Sequence, residues 1–289
     1  DAGKPVEIPV VVTYPDKSTD NATAKINVVD YTTDPVIPFE PKDPEKPGDK
    51  DDENIPTENP EDNKPINRDE YVVVGFKVDP KDSGTLTLGE QKNKAVISAL
   101  VKKDTKWADF TMPTTNDGND YVFWHWDEAS AETVADGQVR VAKFIKSGDE
   151  IDPNDKTPLP NGFHKVTVAK GTGIADDALF GKTYAVKTGD SLAQEKFPEL
   201  KVTDAKQYKD PAWDVKDPWT LEVADKDLTF TANAVSAVFD KDNVTDMVVK
   251  TQPELNYVEG DATKGKLDLS KLVVTLTDKN GNTQDVPFS

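Results

Sequence analysis

Apolar residues along this chain recur at every second position in short runs, and the runs are punctuated by Gly, Pro, Asn and Asp. That period predicts strands rather than helices. Residues 6–14 are largely β-branched, residues 15–18 carry a Pro-Asp-Lys-Ser turn, and residues 22–28 alternate out of it, which predicts a hairpin. Residues 75–78, 95–101, 121–126 and 139–144 predict one set of strands; residues 165–168, 208–213 and 228–232 predict another. Two short stretches differ: residues 107–110 predict a helical turn ending before Pro113, and residues 191–197 a short helix stopped by Pro198. In residues 121–126, strict alternation places Tyr121, Phe123 and His125 on one face and Val122, Trp124 and Trp126 on the other. Near the far end, residues 248–253, 257–261 and 267–270 lead into a strand over 273–277, and Asp278-Lys279-Asn280-Gly281-Asn282 supplies an Asn-Gly turn.

The stretch from Tyr71 to Ala234 is written twice. Val101-Lys102 answers Val186-Lys187 at an offset of 85, and Trp126-Asp127 answers Trp213-Asp214 at an offset of 87. Tyr121 and Tyr208 correspond, and Val139, Val141 and Phe144 answer Leu228, Phe230 and Ala232. The period is that of a small domain rather than a solenoid, so the pattern predicts two beads with separate cores.

Tyr121-Val122-Phe123-Trp124-His125-Trp126-Asp127 resembles the Gly-Tyr-x-Phe-x-Gly-Trp signature of Listeria–Bacteroides-type repeats. Gly75-Phe76-Lys77-Val78 would be the opening strand, Pro113 the mid-unit proline and Ala142-Lys143-Phe144 the closer. The second copy matches through Lys165-Val166-Thr167-Val168, Pro198, Tyr208, Trp213 and Ala232, with Asp210 where the Phe would be; the first copy has His125 in place of Gly. The resemblance covers about half the chain and implies small β-grasp-like units of Gram-positive surface proteins. The Val-Thr-Tyr-Pro-Asp string at residues 12–16 is similar to the closing hairpin of Rib-type repeats, and residues 238–289 look like the front of a bacterial immunoglobulin-like domain.

Composition changes this picture in three places. The net charge of −19 argues against nucleic acid and anionic membrane, since phosphate binding needs clustered Lys and Arg. The absence of Cys excludes disulfide scaffolds and thiolate metal sites. Eight of the 21 prolines lie between Pro35 and Pro65, and between Asp34 and Glu70 there are thirteen acidic and five basic residues. Such a segment predicts a solvated, extended linker. The expected organisation is therefore a partial Rib-like hairpin at 1–32, an acidic proline-rich linker at 33–68, repeat 1 at 69–148, a polar connector at 149–161, repeat 2 at 162–237 and a partial immunoglobulin-like domain at 238–289. The expected class is mainly β with short helices (α+β): two tandem β-grasp-like repeats flanked by partial modules in an extended array.

Candidate chemistry is sparse. Gly189-Asp190-Ser191-Leu192 is similar to the nucleophile block of GDSL hydrolases, but a serine needs a base, and His125 and His164 both lie upstream. A strand-end turn with Asp190 or Ser191 capping the next helix is the simpler expectation. Leu159-Pro160-Asn161-Gly162, similar to a sorting signal, lacks its Thr and predicts a turn. Asp278-x-Asn280-x-Asn282 begins like a calcium loop, but Thr283 replaces the required Gly and position 289 is Ser rather than Glu. No catalytic residue, metal ligand or cofactor is assigned. Tyr121, Trp126, Tyr208 and Trp213 recur at equivalent positions, which predicts a shared core role. Trp107 and Trp219 have no counterparts and are the candidates for stacking on a ligand.

The expectation is a non-catalytic stalk or adhesive segment of a Gram-positive cell-wall protein, extracellular, monomeric, and without nucleic-acid or membrane-inserting partners. The alternative is a ligand-binding module taking a glycan or host protein on exposed aromatics.

Overall fold

The computed structural model describes residues 5–253, 256, 258 and 268–288. The expected segments at 257, 259–261 and 267 lie outside the described residues. The fold is mainly β, and the only helices among the described residues are three-residue 3-10 turns at Arg68–Glu70, Gln194–Lys196 and Pro218–Thr220. The expected helical turn at 107–110 is a plain turn, and the second helix shrinks to Gln194–Lys196. Its cap residue is Ala193, with no side-chain bond, so neither Asp190 nor Ser191 caps it. The chain divides into two compact units, residues 1–146 and 147–289.

The first unit opens with a two-stranded hairpin, β1 (Pro5–Thr13) and β2 (Thr19–Asn27), joined through Lys17 in the left-handed region. Next come β3 (Val36–Phe39), β4 (Tyr71–Asp79), β5 (Gly84–Leu88), β6 (Gln91–Lys94), β7 (Val96–Lys102), β8 (Thr114–Asp117), β9 (Val122–Trp126) and β10 (Val139–Ile145). Five of them form one sheet in the order β3-β7-β4-β10-β9, in which β4 and β10 run parallel and the other pairs antiparallel. The other three make a small sheet, β6-β5-β8, that places Leu86 in the core. Alternation in Thr85-Leu86-Thr87-Leu88 was the available signal for it.

The second unit repeats the five-stranded order. Its strands β11 (Asp149–Glu150), β12 (Phe163–Lys170), β13 (Thr183–Lys187), β14 (Tyr208–Trp213) and β15 (Leu228–Ser236) are ordered β11-β13-β12-β15-β14, with β12 and β15 parallel. Register ties the copies together. Val72 pairs with Val101 and His164 with Val186, so the offset of 85 at the valines holds in space. Trp126 pairs with Ala142 and Trp213 with Ala232. Ala142 and Ala232 are therefore the matching positions of the last strand, which corrects the expected pairing of Phe144 with Ala232. The unit ends with β16 (Val244–Thr251), β17 (Val273–Asp278) and β18 (Thr283–Pro287), an antiparallel sheet whose last two strands are joined by the expected Asn-Gly turn.

The acidic linker is not an extended spacer. Val36–Phe39 adds an edge strand to the first sheet, and Ile37, Phe39 and Ile66 form a second core with Tyr71, Val73 and Leu100. The first sheet is thus covered on both faces, because Val72, Val74, Phe76 and Val78 build the opposite core. Burial on both faces is why Tyr71-Val72-Val73-Val74 is a continuous apolar run. Gly75 shows how close the cover lies: a Cβ there would stand 2.5 Å from the Pro47 carbonyl. Asn59 and Thr32 are buried polar anchors, bonded to each other at 3.0 Å, with Thr32 also donating to Asp62. A few buried apolar side chains, each contributing about 1.5–3 kcal/mol, together with these bonds hold a segment whose composition alone predicts solvation.

The expected connector at 149–161 is likewise part of a domain. Asp149–Glu150 pairs with β13 in the place that β3 takes beside β7, and Ile151 is buried. It covers less of its sheet, so β12 alternates between buried Val166 and Val168 and more exposed Lys165 and Thr167.

Candidate functional site

Each unit gathers a cluster of aromatics on one side of the parallel strand pair, while Phe39 and Tyr71 of the first unit belong to its other core. In the first, Phe76 is central: Phe110 stacks on it at 5.6 Å, and Trp107 and Trp126 approach edge-on at 6.3 and 6.1 Å. In the second, Phe197 is central, with Trp213 at 5.3 Å, Trp219 at 6.0 Å and Phe230 at 5.7 Å.

Trp126 does not share a face with Trp124. The ladder between β9 and β10 shifts between Lys143 and Phe144, so Trp124 is the extra residue of a bulge. The bulge breaks the alternation and brings Phe123 and Trp126 to the same core, 6.2 Å apart, while Trp124 stands edge-on to His125. A shift at the same place in the second unit spans Asp210 and Pro211, with Asp210 in the left-handed region. Proline is tolerated there because β14 is an edge strand.

Trp107 is a core residue, which overturns its place as a ligand candidate. It is 8% exposed, its indole donates to Gln138 Oε1 at 3.1 Å, and the Arg140 guanidinium lies 5.0 Å above its ring. Arg140 is held there by Asp127, whose Oδ1 also accepts from the Val141 N–H; both distances are 2.9 Å. Tyr121, Trp126 and Trp213 are half-buried and packed against their cores. Tyr208 is half-buried but lies outside the second apolar cluster; its ring covers Gly173, where a Cβ would come within 2.4 Å of it. Tyr121 and Tyr208 therefore differ in role despite their shared position.

Trp219 is positioned differently. Asp217, in the left-handed region, turns the chain into the 3-10 turn Pro218–Thr220, which leaves Trp219 half-buried against Phe197. Together with Trp213, Phe197, Pro198, Leu200, Gln194 and the two acids Glu195 and Glu199, it lines a groove of about 670 Å³. The structure thus unites one expected core residue, Trp213, with one expected ligand residue, Trp219. Phe197, Glu195 and Glu199 were missed; the aromatic next to a proline inside an acidic frame was the available signal.

The remaining candidates resolve into structural bonds. Val223 N–H donates to the Asp190 carbonyl at 2.7 Å, tying the Gly189-Asp190 turn to the crossover loop, and His164 Nε2 meets Thr188 Oγ1 at 3.1 Å. The Asp278 carboxylate accepts from the backbone N–H groups of Asp240, Asn280 and Asn282 and from the Asn282 amide. Burial acts to raise its pKa, but these donors outweigh it and hold the carboxyl down at about 2. Asn282 also donates to the carbonyls of Ser236 and Val238, so this pair ties the last sheet to the end of β15.

No helix among the described residues is long and apolar enough to cross a membrane. No family model matches the chain, and neither the curated proteins nor the solved structures contain a match to it.

Proposed function

We propose that the chain is a non-catalytic, load-bearing segment of a bacterial surface protein, built on two β-grasp-like modules. The β-grasp reading is supported by the strand order: leaving out the edge strand, each sheet runs second-first-last-third, with the first and last strands parallel. The surface assignment rests on the sequence resemblance and on the acidic, cysteine-free composition. One observation carries the mechanical part. In each module the first long strand lies beside the last in parallel, β4 with β10 and β12 with β15. Tension applied at the two ends of such a module pulls those strands along their length in opposite directions. Their ladder bonds are then loaded together instead of being peeled one by one. Spacing falls to the modules, since the acidic segment is folded onto the first of them.

Single-molecule stretching of the chain tests this, because forced unfolding reports the barrier and not the equilibrium stability. The expected trace has two discrete high-force events, one per module. Release of both modules at forces typical of peeled hairpins would remove the load-bearing reading.

A ligand-binding module is the second reading, and the groove at Trp219 favours it. Trp107 contributes nothing to it, being buried.

A further inference from the structure

The Trp219 groove belongs to the second unit's fold only in part. Trp213 has a counterpart in Trp126, and at the same offset Phe197 answers Phe110, although Phe110 stacks on Phe76 of β4 and Phe197 packs on Phe230 of β15. Trp219 has none, and neither have the acids: at the offset of 87 that relates the two tryptophans, Glu195 and Glu199 correspond to Ala108 and Met112. The fold is built once without these three residues, so their presence in the second unit needs a separate reason.

Their chemistry is of one kind. The floor is aromatic and apolar, from Phe197, Pro198 and Leu200, between the indoles of Trp213 and Trp219. The Trp213 and Trp219 rings stand at 83° and 65° to Phe197, forming inclined walls rather than one flat platform. No Lys or Arg lines the groove. Lys196, next to it in sequence, is turned over the Tyr184 ring at 5.4 Å. Lys201 shares the charge of Glu199 at 3.0 Å, which leaves Glu195 as the unneutralised acid on the rim. Electron-rich ring faces, an acidic rim and a net charge of −19 complement a cation. Both acids are exposed, and the Phe197, Pro198 and Leu200 side chains offer no acceptor to an N–H donor, so Gln194 Oε1 is the one neutral side-chain acceptor in the lining. That favours a methylated nitrogen, which needs none, over a primary amine. A saccharide would bring hydroxyls against Pro198 and Leu200, which cannot bond them.

We infer that this groove binds a small-molecule quaternary ammonium headgroup, held between Trp213 and Trp219 with Glu195 supplying the counter-charge. This rests on the ligand-binding reading of the groove.

The test is tryptophan fluorescence of the full chain titrated with choline chloride, beside lysine amide and methyl glucoside. Choline should give a saturable change in the millimolar range, weakening as salt is added. Trp219→Ala should weaken it about tenfold, and Glu195→Gln about twofold to fivefold. Glu195→Lys leaves both aromatic walls in place and should abolish binding, which keeps the result interpretable if Trp219→Ala perturbs the fold. No saturable change up to about 100 mM choline, or binding indifferent to both Trp219→Ala and Glu195→Lys, overturns the assignment. Trp219-dependent binding of methyl glucoside without choline would overturn the ammonium assignment and leave the ligand-binding reading standing. Binding of none of the three would overturn both.

Discussion

Trp126 lies directly opposite Ala142 across the β9–β10 pair, and the same relation recurs between Trp213 and Ala232 across β14–β15. A methyl group at that position leaves room for the indole to fold over the last strand. It then reaches the central ring of its cluster, Phe76 at 6.1 Å in one unit and Phe197 at 5.3 Å in the other. The Trp-Ala pair is thus a packing element that each sheet uses once.

Removing either indole should destabilise its own unit. Both are half-buried, so Trp126→Ala and Trp213→Ala should each cost about 2–4 kcal/mol, toward the low side of values for fully buried aromatics. Because the two clusters are separate, thermal unfolding should show one lowered transition and one unchanged. Two equally lowered transitions would contradict separate cores.

Trp107 and Trp219 should part company. Trp107→Ala strips a buried ring from beneath Arg140 and removes one of the two donors to Gln138 Oε1, at a cost of about 3–5 kcal/mol. Trp219→Ala should cost about 1–2 kcal/mol, since much of the ring already faces the groove. Chemical denaturation of the two variants measures the difference, and equal losses would mean that Trp219 is a core residue too.

Gly75 reports on the acidic segment. Gly75→Val would drive side-chain atoms into the Pro47 carbonyl, 2.5 Å from where a Cβ would sit. The expected cost is about 1–3 kcal/mol, paid by lifting residues 40–66 off the sheet. Limited proteolysis should leave this segment intact in the wild type and cut it early in the variant. Rapid wild-type cleavage there would restore the open-linker expectation.

The last sheet should loosen in acid. The Asp278 pKa is lowered from 3.8 to about 2 in the fold, so its stabilisation is complete above pH 4 and is lost as pH falls through about 2. Amide exchange along β17 and β18 should accelerate over that window. Asp278→Asn should remove the pH dependence while exchanging faster at neutral pH. An unchanged acid profile in the variant would place the cause elsewhere.

The repeat, the strand-rich class and the shared role of Trp126 and Trp213 were legible along the chain, because period-two patterning and recurrence are local properties of sequence. So was the Asn280-Gly281 turn, whose geometry is set by adjacent residues. Three matters were settled only by tertiary structure. The acidic segment folds because Tyr71, Val73 and Leu100 need a cover, a demand that lies beyond the segment's own composition. The uninterrupted run at residues 71–74, set against the alternation at 165–168, held that information in the partner strand. Trp124 and Trp126 separate because a bulge inserts one residue, and a bulge depends on the neighbouring strand's register. Trp107 and Trp219, alike as unmatched tryptophans, diverge because Arg140 and Gln138 close over one and a left-handed Asp217 swings the other to a groove. Local patterning states which positions want burial; only the packed chain states what buries them.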